Sequence, residues 1–351
     1  MHVFTCEKCG QMLHFENSVC LRCGTRLGFL PDTLRLSACD PQPDGTIAVT
    51  AAPQGSAWVA CGNAASAGCN WLVRADSGDS FCPACELNRT IPDLAVEGNE
   101  ERWRKMEEAK RRLIYALKRL NLPLTSFQDD KERGLAFDFL ADEPDAPVMT
   151  GHDDGLITIN ISEADSAERE RRRVELGEPY RTLLGHLRHE VGHYYWDVLV
   201  RDRNKIDASR EIFGDESADY GEALQRHYEN GAPPDWENAY VSAYATMHPW
   251  EDFAETWTHY LHMVDTLDTA ASFGMEIDPH VATTAELNAE LAFDPYREPD
   301  FKRLVDAWIP LTVAVNSLNR SMGQRDLYPF ALSTPAINKL NFIHDLVRGA
   351  V

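Results

Sequence analysis

No stretch of this 351-residue sequence runs to about 18 uninterrupted apolar residues, so nothing in it reads as a membrane-spanning helix. Its start, MHVFTCEKCG, lacks a basic region, an apolar core and a small-residue cleavage site. No secretory signal is read there, and a cytoplasmic setting is expected. Positive charge is scarce: 34 Lys and Arg against 56 Asp and Glu leave −22. That disfavours a general nucleic-acid binder, because phosphate would be repelled. The most basic stretch, 102–119, does not reverse this. It interleaves Glu107 and Glu108, and Trp103, Met106, Leu113, Leu117 and Leu120 recur as the buried stripe of a helix. Cysteine is missing from the last three quarters of the chain: all nine lie at or before residue 85. In a reducing compartment such cysteines read as metal ligands rather than disulfides.

The cysteines are ordered. CEKCG (6–10) and CLRCG (20–24) are two C-x-x-C-G knuckles, in which the glycine lets backbone amides turn toward the sulfurs. Cys6, Cys9, Cys20 and Cys23 are expected to close one tetrahedral zinc site. Cys61 and Cys69, in CGNAASAGCNW, pair naturally with Cys82 and Cys85, in FCPACE, to form a second. Cys39 is left over as a small apolar residue, with an exchange for Cys61 left open. Four thiolates leave no open position, so both sites read as structural, with zinc replacing the core that so short a segment lacks. Protein contact or scaffolding suits this acidic ribbon better than nucleic acid.

One stretch carries catalytic chemistry. HLRHEVGHYYW (186–196) contains H-E-x-x-H. Leu183, Leu184, Leu187, Val191, Tyr194, Tyr195 and Val198 recur at three- and four-residue steps, which predicts a helix, with Pro179 near its start. His189 and His193 then share one face and meet one ion, while Glu190, one step round, reaches a water without binding the metal. His186 reads as a supporting histidine. A catalytic zinc needs a third ligand and an open position. The extension H-x-x-G-x-x-H is excluded, since Trp196 and Leu199 occupy its positions. HPWEDFAETWTHYLH (248–262) is a second helical stretch with Glu251 and Glu255 on one face. Three acids on so aromatic a helix are costly to bury unless a cation faces them.

The chain resembles the zinc metallopeptidases that carry an N-terminal zinc-ribbon domain. The likeness runs over nearly the whole length, through the knuckles, CNWLV, CELNRTIPDL, ERWRKMEEAKRRL, GLAFDFLAD, TGHDDGLITINI, GEPYRTLLGHLRHEVGHYYWD, FGDE, SAYATMHPWEDFAETWTHYLH and LYPF. It implies an α+β fold: a small four-cysteine zinc-ribbon region over 1–92, then a mainly helical zincin-like domain with a small sheet over 93–351. A wider resemblance to gluzincin peptidases implies Glu255 as third ligand, with Glu251 holding a ligand histidine. It also implies Tyr244 as oxyanion donor, with Tyr240 as alternative. The rival third ligand is Glu216 in FGDESADY, where the bland reading is a helix cap by Asp215 or Glu216.

The expectation is a zinc hydrolase with one catalytic and two structural zinc ions. Glu190 serves as general base, and the substrate is a peptide or protein. Ranked behind it are a zinc-bound scaffold that cleaves nothing and a hydrolase of other amides. GHDDGLITINI (151–161) reads as a turn into a strand, either an ordinary sheet strand or one whose free edge would suit an extended peptide. EADSAERERRRVELGEP reads as a charged, solvated helix. The chain beyond 265 reads as largely helical, with Thr334 capping a last helix and Pro335 at its first position. Arg320, Arg325 and Tyr328 read as structural, with a pocket-lining role as the alternative.

Overall fold

The computed structural model describes residues 2–142, 148–175, 182–281 and 287–351. The chain divides into two compact units, 1–168 and 169–351. The architecture is α+β, a cysteine-rich ribbon region and then helices with small sheets.

In the first unit, β1 (Phe4–Thr5) and β2 (Met12–Leu13) form the first knuckle's hairpin. An antiparallel sheet then runs through β3 (Leu27–Leu30), β4 (Arg35–Pro41), β5 (Ile47–Val49), β6 (Trp58–Ala60) and β7 (Leu72–Arg74). A second sheet combines β8 (Asn88–Thr90) with β9 (Ala136–Leu140), β10 (Gly151–Asp153) and β11 (Leu156–Asn160), in the order β10-β11-β9-β8. Between β8 and β9 runs the long helix α1 (Asn99–Arg119). Its stripe of Trp103, Met106, Leu113 and Leu117 is fully buried, as its spacing predicts.

This compact unit includes more than the ribbon region for two reasons. Tyr115 of α1 packs 5.0 Å from Phe15, which lies 5.0 Å from Phe29, itself 4.7 Å from Trp71. Strand β8 also pairs with β9, on the far side of α1 in sequence. The ribbon therefore shares its apolar core with α1 and a sheet with β9.

The expected peptide-binding edge is corrected. The turn is present: Asp154 (φ 41°) and Gly155 (φ 90°) both take positive φ, the signature of a tight hairpin. But β11 pairs with β10 on one side and β9 on the other, so its edges are both used.

The second unit is helical. Helix α2 (Ser166–Glu175) leads into it from the first. The H-E-x-x-H segment lies on α3 (Leu183–Trp196), N-capped by the Thr182 hydroxyl, which accepts from Gly185 N. Pro179 lies outside the described residues. A turn of π-helix, Asp197–Arg201, continues α3. Helices α4 (Ile206–Phe213) and α5 (Tyr220–Asn230) lead to α6 (Pro249–Ser272), capped by His248 with Pro249 in its first turn. Beyond a short strand pair come α7 (Phe301–Ser321) and α8 (Thr334–Arg348). The cap of α8 is Ser333, one residue before Thr334: its extended backbone lets its hydroxyl accept from Ala336 N. The core is built on α3 against α6, with Tyr195 stacked on Trp257 at 4.8 Å and Phe213 joining Phe253 to Phe342. No helix among the described residues is long and apolar enough to cross a membrane.

Candidate metal centre

Among the described residues, three groups of metal-binding side chains come together, two of cysteines and one of histidine and glutamate. Cys6, Cys9, Cys20 and Cys23 form the first and Cys61, Cys69, Cys82 and Cys85 the second, the pairings expected from spacing. The closest sulfurs stand 3.6 and 3.7 Å apart in the first group, and 3.7 and 3.8 Å in the second. A disulfide would need about 2.05 Å. Four sulfurs at about 2.3 Å from a tetrahedral zinc stand about 3.75 Å apart. The sulfurs therefore fit a metal, and both groups keep their cysteines free of disulfides. Cys39 sits on β4 outside both groups, where burial pushes its thiol up to about 11.

The second group is the more deeply set: all four of its cysteines are buried. Cys85 Sγ lies 3.5 Å from Glu107 Oε2 on α1, so a carboxyl group faces a cluster of thiolates. Burial raises the pKa of Glu107. Lys110, wholly inaccessible, offsets the charge by donating to Glu107 Oε1 at 2.6 Å, and Arg111 approaches from 4.0 Å. A buried lysine on α1 is thus explained by the anions beside it.

The third group is made by α3 and α6. His189 Nε2 lies 2.9 Å from Glu251 Oε2, and His193 Nε2 lies 3.5 Å from Glu251 Oε1. Donors at about 2.1 Å from one tetrahedral ion stand about 3.4 Å apart, so the set fits a zinc site with an open position. The two glutamates stand in the reverse of the expected arrangement. Glu255 does not join the imidazole Nε2 atoms. It accepts from Nδ1 of His189 at 2.7 Å, and its other oxygen accepts from Ser242 Oγ at 2.5 Å. Glu251 is one helical turn earlier, and that turn aligns it with the Nε2 nitrogens of both histidines. Holding Nδ1–H on Glu255 orients the ring so that Nε2 points at Glu251.

The electrostatics favour a cation. Burial opposes ionisation of Glu251, yet His193 and His189 keep its carboxyl well below the usual range. Burial likewise opposes ionisation of Glu190, whose carboxyl is held low by His186, donating from Nε2 at 3.1 Å. Glu255 is lowered by His189 against the same opposition. His189 is pushed well above its usual value, burial notwithstanding, by Glu251 and Glu255. Three ionised carboxylates thus surround the paired imidazoles, and a divalent ion would replace protons there.

Glycine makes this geometry possible. A Cβ on Gly192 would lie 3.0 Å from Ala254 Cα and 3.2 Å from Trp257 Cδ1. The missing side chain lets α3 and α6 approach closely enough for the histidines to meet Glu251. Gly192→Ala gains about 1 kcal/mol of helix propensity and loses about 1–3 kcal/mol to overpacking. A net loss of stability and weaker metal retention are expected in a urea titration. A variant more stable than the wild type would rule out the close approach.

Glu216 is turned away from the centre, held by Arg210 through two bonds of 2.8 and 2.9 Å. Asp219, rather than Asp215 or Glu216, caps α5, while Asp215 closes a turn at Ser217. Tyr244 stands beside the centre, its ring 6.0 Å from that of His189. Tyr240 lies instead under the ammonium of Lys339. Arg320 pairs with Asp326, and the Tyr328 hydroxyl is hydrogen-bonded to His259 Nδ1 at 2.6 Å. Two residues at the centre escape sequence reasoning: Ser242, and Tyr220, whose hydroxyl donates to Glu251 Oε1 at 2.9 Å. Nothing in their spacing marks them.

Comparison with known proteins agrees with this division of labour. Residues 3–96 match a zinc-ribbon domain, and residues 99–346 match the family described as "Putative zinc-binding metallo-peptidase". Uncharacterized proteins of Mycobacterium bovis and Mycobacterium tuberculosis are 42% identical over 350 residues, covering 99% of this chain and 95% of theirs. No solved structure matches. With sulfurs spaced for zinc in the ribbon and a histidine–glutamate centre on paired helices, the chain belongs to the family described as "Putative zinc-binding metallo-peptidase" and carries an N-terminal zinc-ribbon domain.

Proposed function

We propose that the protein is a zinc-dependent peptidase in which His189, His193 and Glu251 hold the catalytic ion and Glu190 is the general base. The observation that carries this is the meeting of Glu251 with both Nε2 atoms, with Glu190 on the same helix and one residue from His189. A bound zinc supplies Lewis acidity, polarising a carbonyl and lowering the pKa of water. Glu190, kept ionised at neutral pH, takes a proton from the attacking water and returns it to the leaving amine. His186 holds that carboxylate in place. Tyr244 offers a phenol to the negative charge that develops on the carbonyl oxygen. Its burial keeps the phenol protonated and able to donate. The four-cysteine groups hold two further, structural zinc ions.

The test is Glu190→Gln against a peptide library. Full zinc content with hydrolysis lowered by about 10²–10⁴-fold is expected, the range for losing a general base. Near-normal turnover by the variant would overturn the role of Glu190. A fully zinc-loaded wild type that neither cleaves peptides nor binds a peptide hydroxamate would favour a zinc-bound scaffold instead.

A further inference from the structure

We propose that Tyr220 is a positioning residue, which fixes the Glu251 carboxylate for the metal. This rests on the reading of His189, His193 and Glu251 as metal ligands. The two oxygens of Glu251 are not equivalent. Oε2 faces His189 Nε2 at 2.9 Å; Oε1 faces His193 Nε2 at 3.5 Å and accepts the Tyr220 hydroxyl at 2.9 Å. A carboxylate that gives one oxygen to a metal keeps charge on the other, and a phenol donor there stops it swinging.

The tyrosine is held for this task. Its ring packs edge-on against His248 at 5.4 Å and Trp250 at 6.2 Å, the residues that open α6. His248 is itself fixed: it caps Trp250 N at 3.1 Å and reaches Ala218 O, two residues before Tyr220, at 3.0 Å. Helix α5 gains little from packing, since Ala223 is its one buried residue. Tyr220 begins this surface helix, 38% exposed, yet sends its hydroxyl to a glutamate only 2% exposed. A residue kept for the core would bury its ring; here the polar end is the part that goes inward.

The experiment uses the full chain with its cysteine sites loaded. The affinity of the histidine–glutamate site for zinc is measured by chelator competition, and the cobalt-substituted site is followed by its visible spectrum. Tyr220→Phe keeps the ring and removes the hydroxyl. It is expected to weaken zinc about 10–100-fold, the usual effect of removing a group that holds a ligand, and to shift the cobalt spectrum. Tyr244→Phe is expected to leave zinc affinity unchanged while lowering kcat. The melting temperature of the zinc-free site, equal in wild type and Tyr220→Phe, controls for folding. Wild-type affinity and spectrum in Tyr220→Phe would overturn the proposal. A different result, loss of no zinc from Glu251→Ala, would overturn the ligand reading beneath it.

Discussion

Glu251→Ala is expected to lower the zinc content from about three ions per chain to about two and to bring hydrolysis to background. The reason lies in what remains. His189 and His193 alone offer two neutral donors, and the carboxylate that balances the ion is gone. Glu255 does not replace it, because its oxygens are engaged by His189 Nδ1 and Ser242 on the side away from the Nε2 atoms. Glu255→Ala is expected to behave differently. It frees the His189 ring without removing a donor, so zinc should still fill the site when in excess, at about 10–100-fold lower affinity. Glu216→Ala should leave both affinity and stoichiometry alone, since its partner is Arg210. Metal analysis after dialysis against graded chelator separates the three. If Glu255→Ala lost the ion outright while Glu251→Ala kept it, the two roles would have to be exchanged.

That exchange marks the limit of what the sequence carries. The H-E-x-x-H spacing defines a helix face, so His189, Glu190 and His193 are legible without coordinates. Glu251 and Glu255 are legible only as a pair. Four residues apart, they share a face and differ by about 6 Å along the axis. Which of them meets the histidines depends on how far α6 slides along α3, and that is set by packing at Gly192 and Ala254. No periodicity encodes such a slide. Tyr220 is illegible for another reason: on an exposed helix, a tyrosine looks like any surface aromatic until its hydroxyl is traced. The cysteine groups are the most legible, because the knuckles place ligands through local turns. The compact-unit boundary is hidden in long-range features, the Tyr115 contact with the ribbon core and the parallel pairing of β8 with β9.

The two cysteine groups should differ when broken. Cys82→Ser is expected to unfold much of the first unit, with loss of near-ultraviolet circular dichroism from its aromatic core. Its group joins the end of β6, the approach to β7 and the turn before β8, and through Cys85 it reaches Glu107 on α1. Losing the ion leaves buried Lys110 and Glu107 beside a changed charge, and removes a folding contribution of about 10–16 kcal/mol on the scale of zinc-finger peptides. That matches or exceeds the whole stability of an ordinary domain, about 5–15 kcal/mol. Cys23→Ser is expected to be milder. Cys23 is exposed, and its group closes the short β1–β2 hairpin and the knuckle before β3. That variant should lose one zinc yet keep the Phe29–Trp71–Tyr115 packing and most of the aromatic signal. Calorimetry and zinc analysis on both variants decide the matter. Equal melting curves would mean that the buried group adds no more than the exposed one, and that burial around Cys82 rests on the apolar core alone.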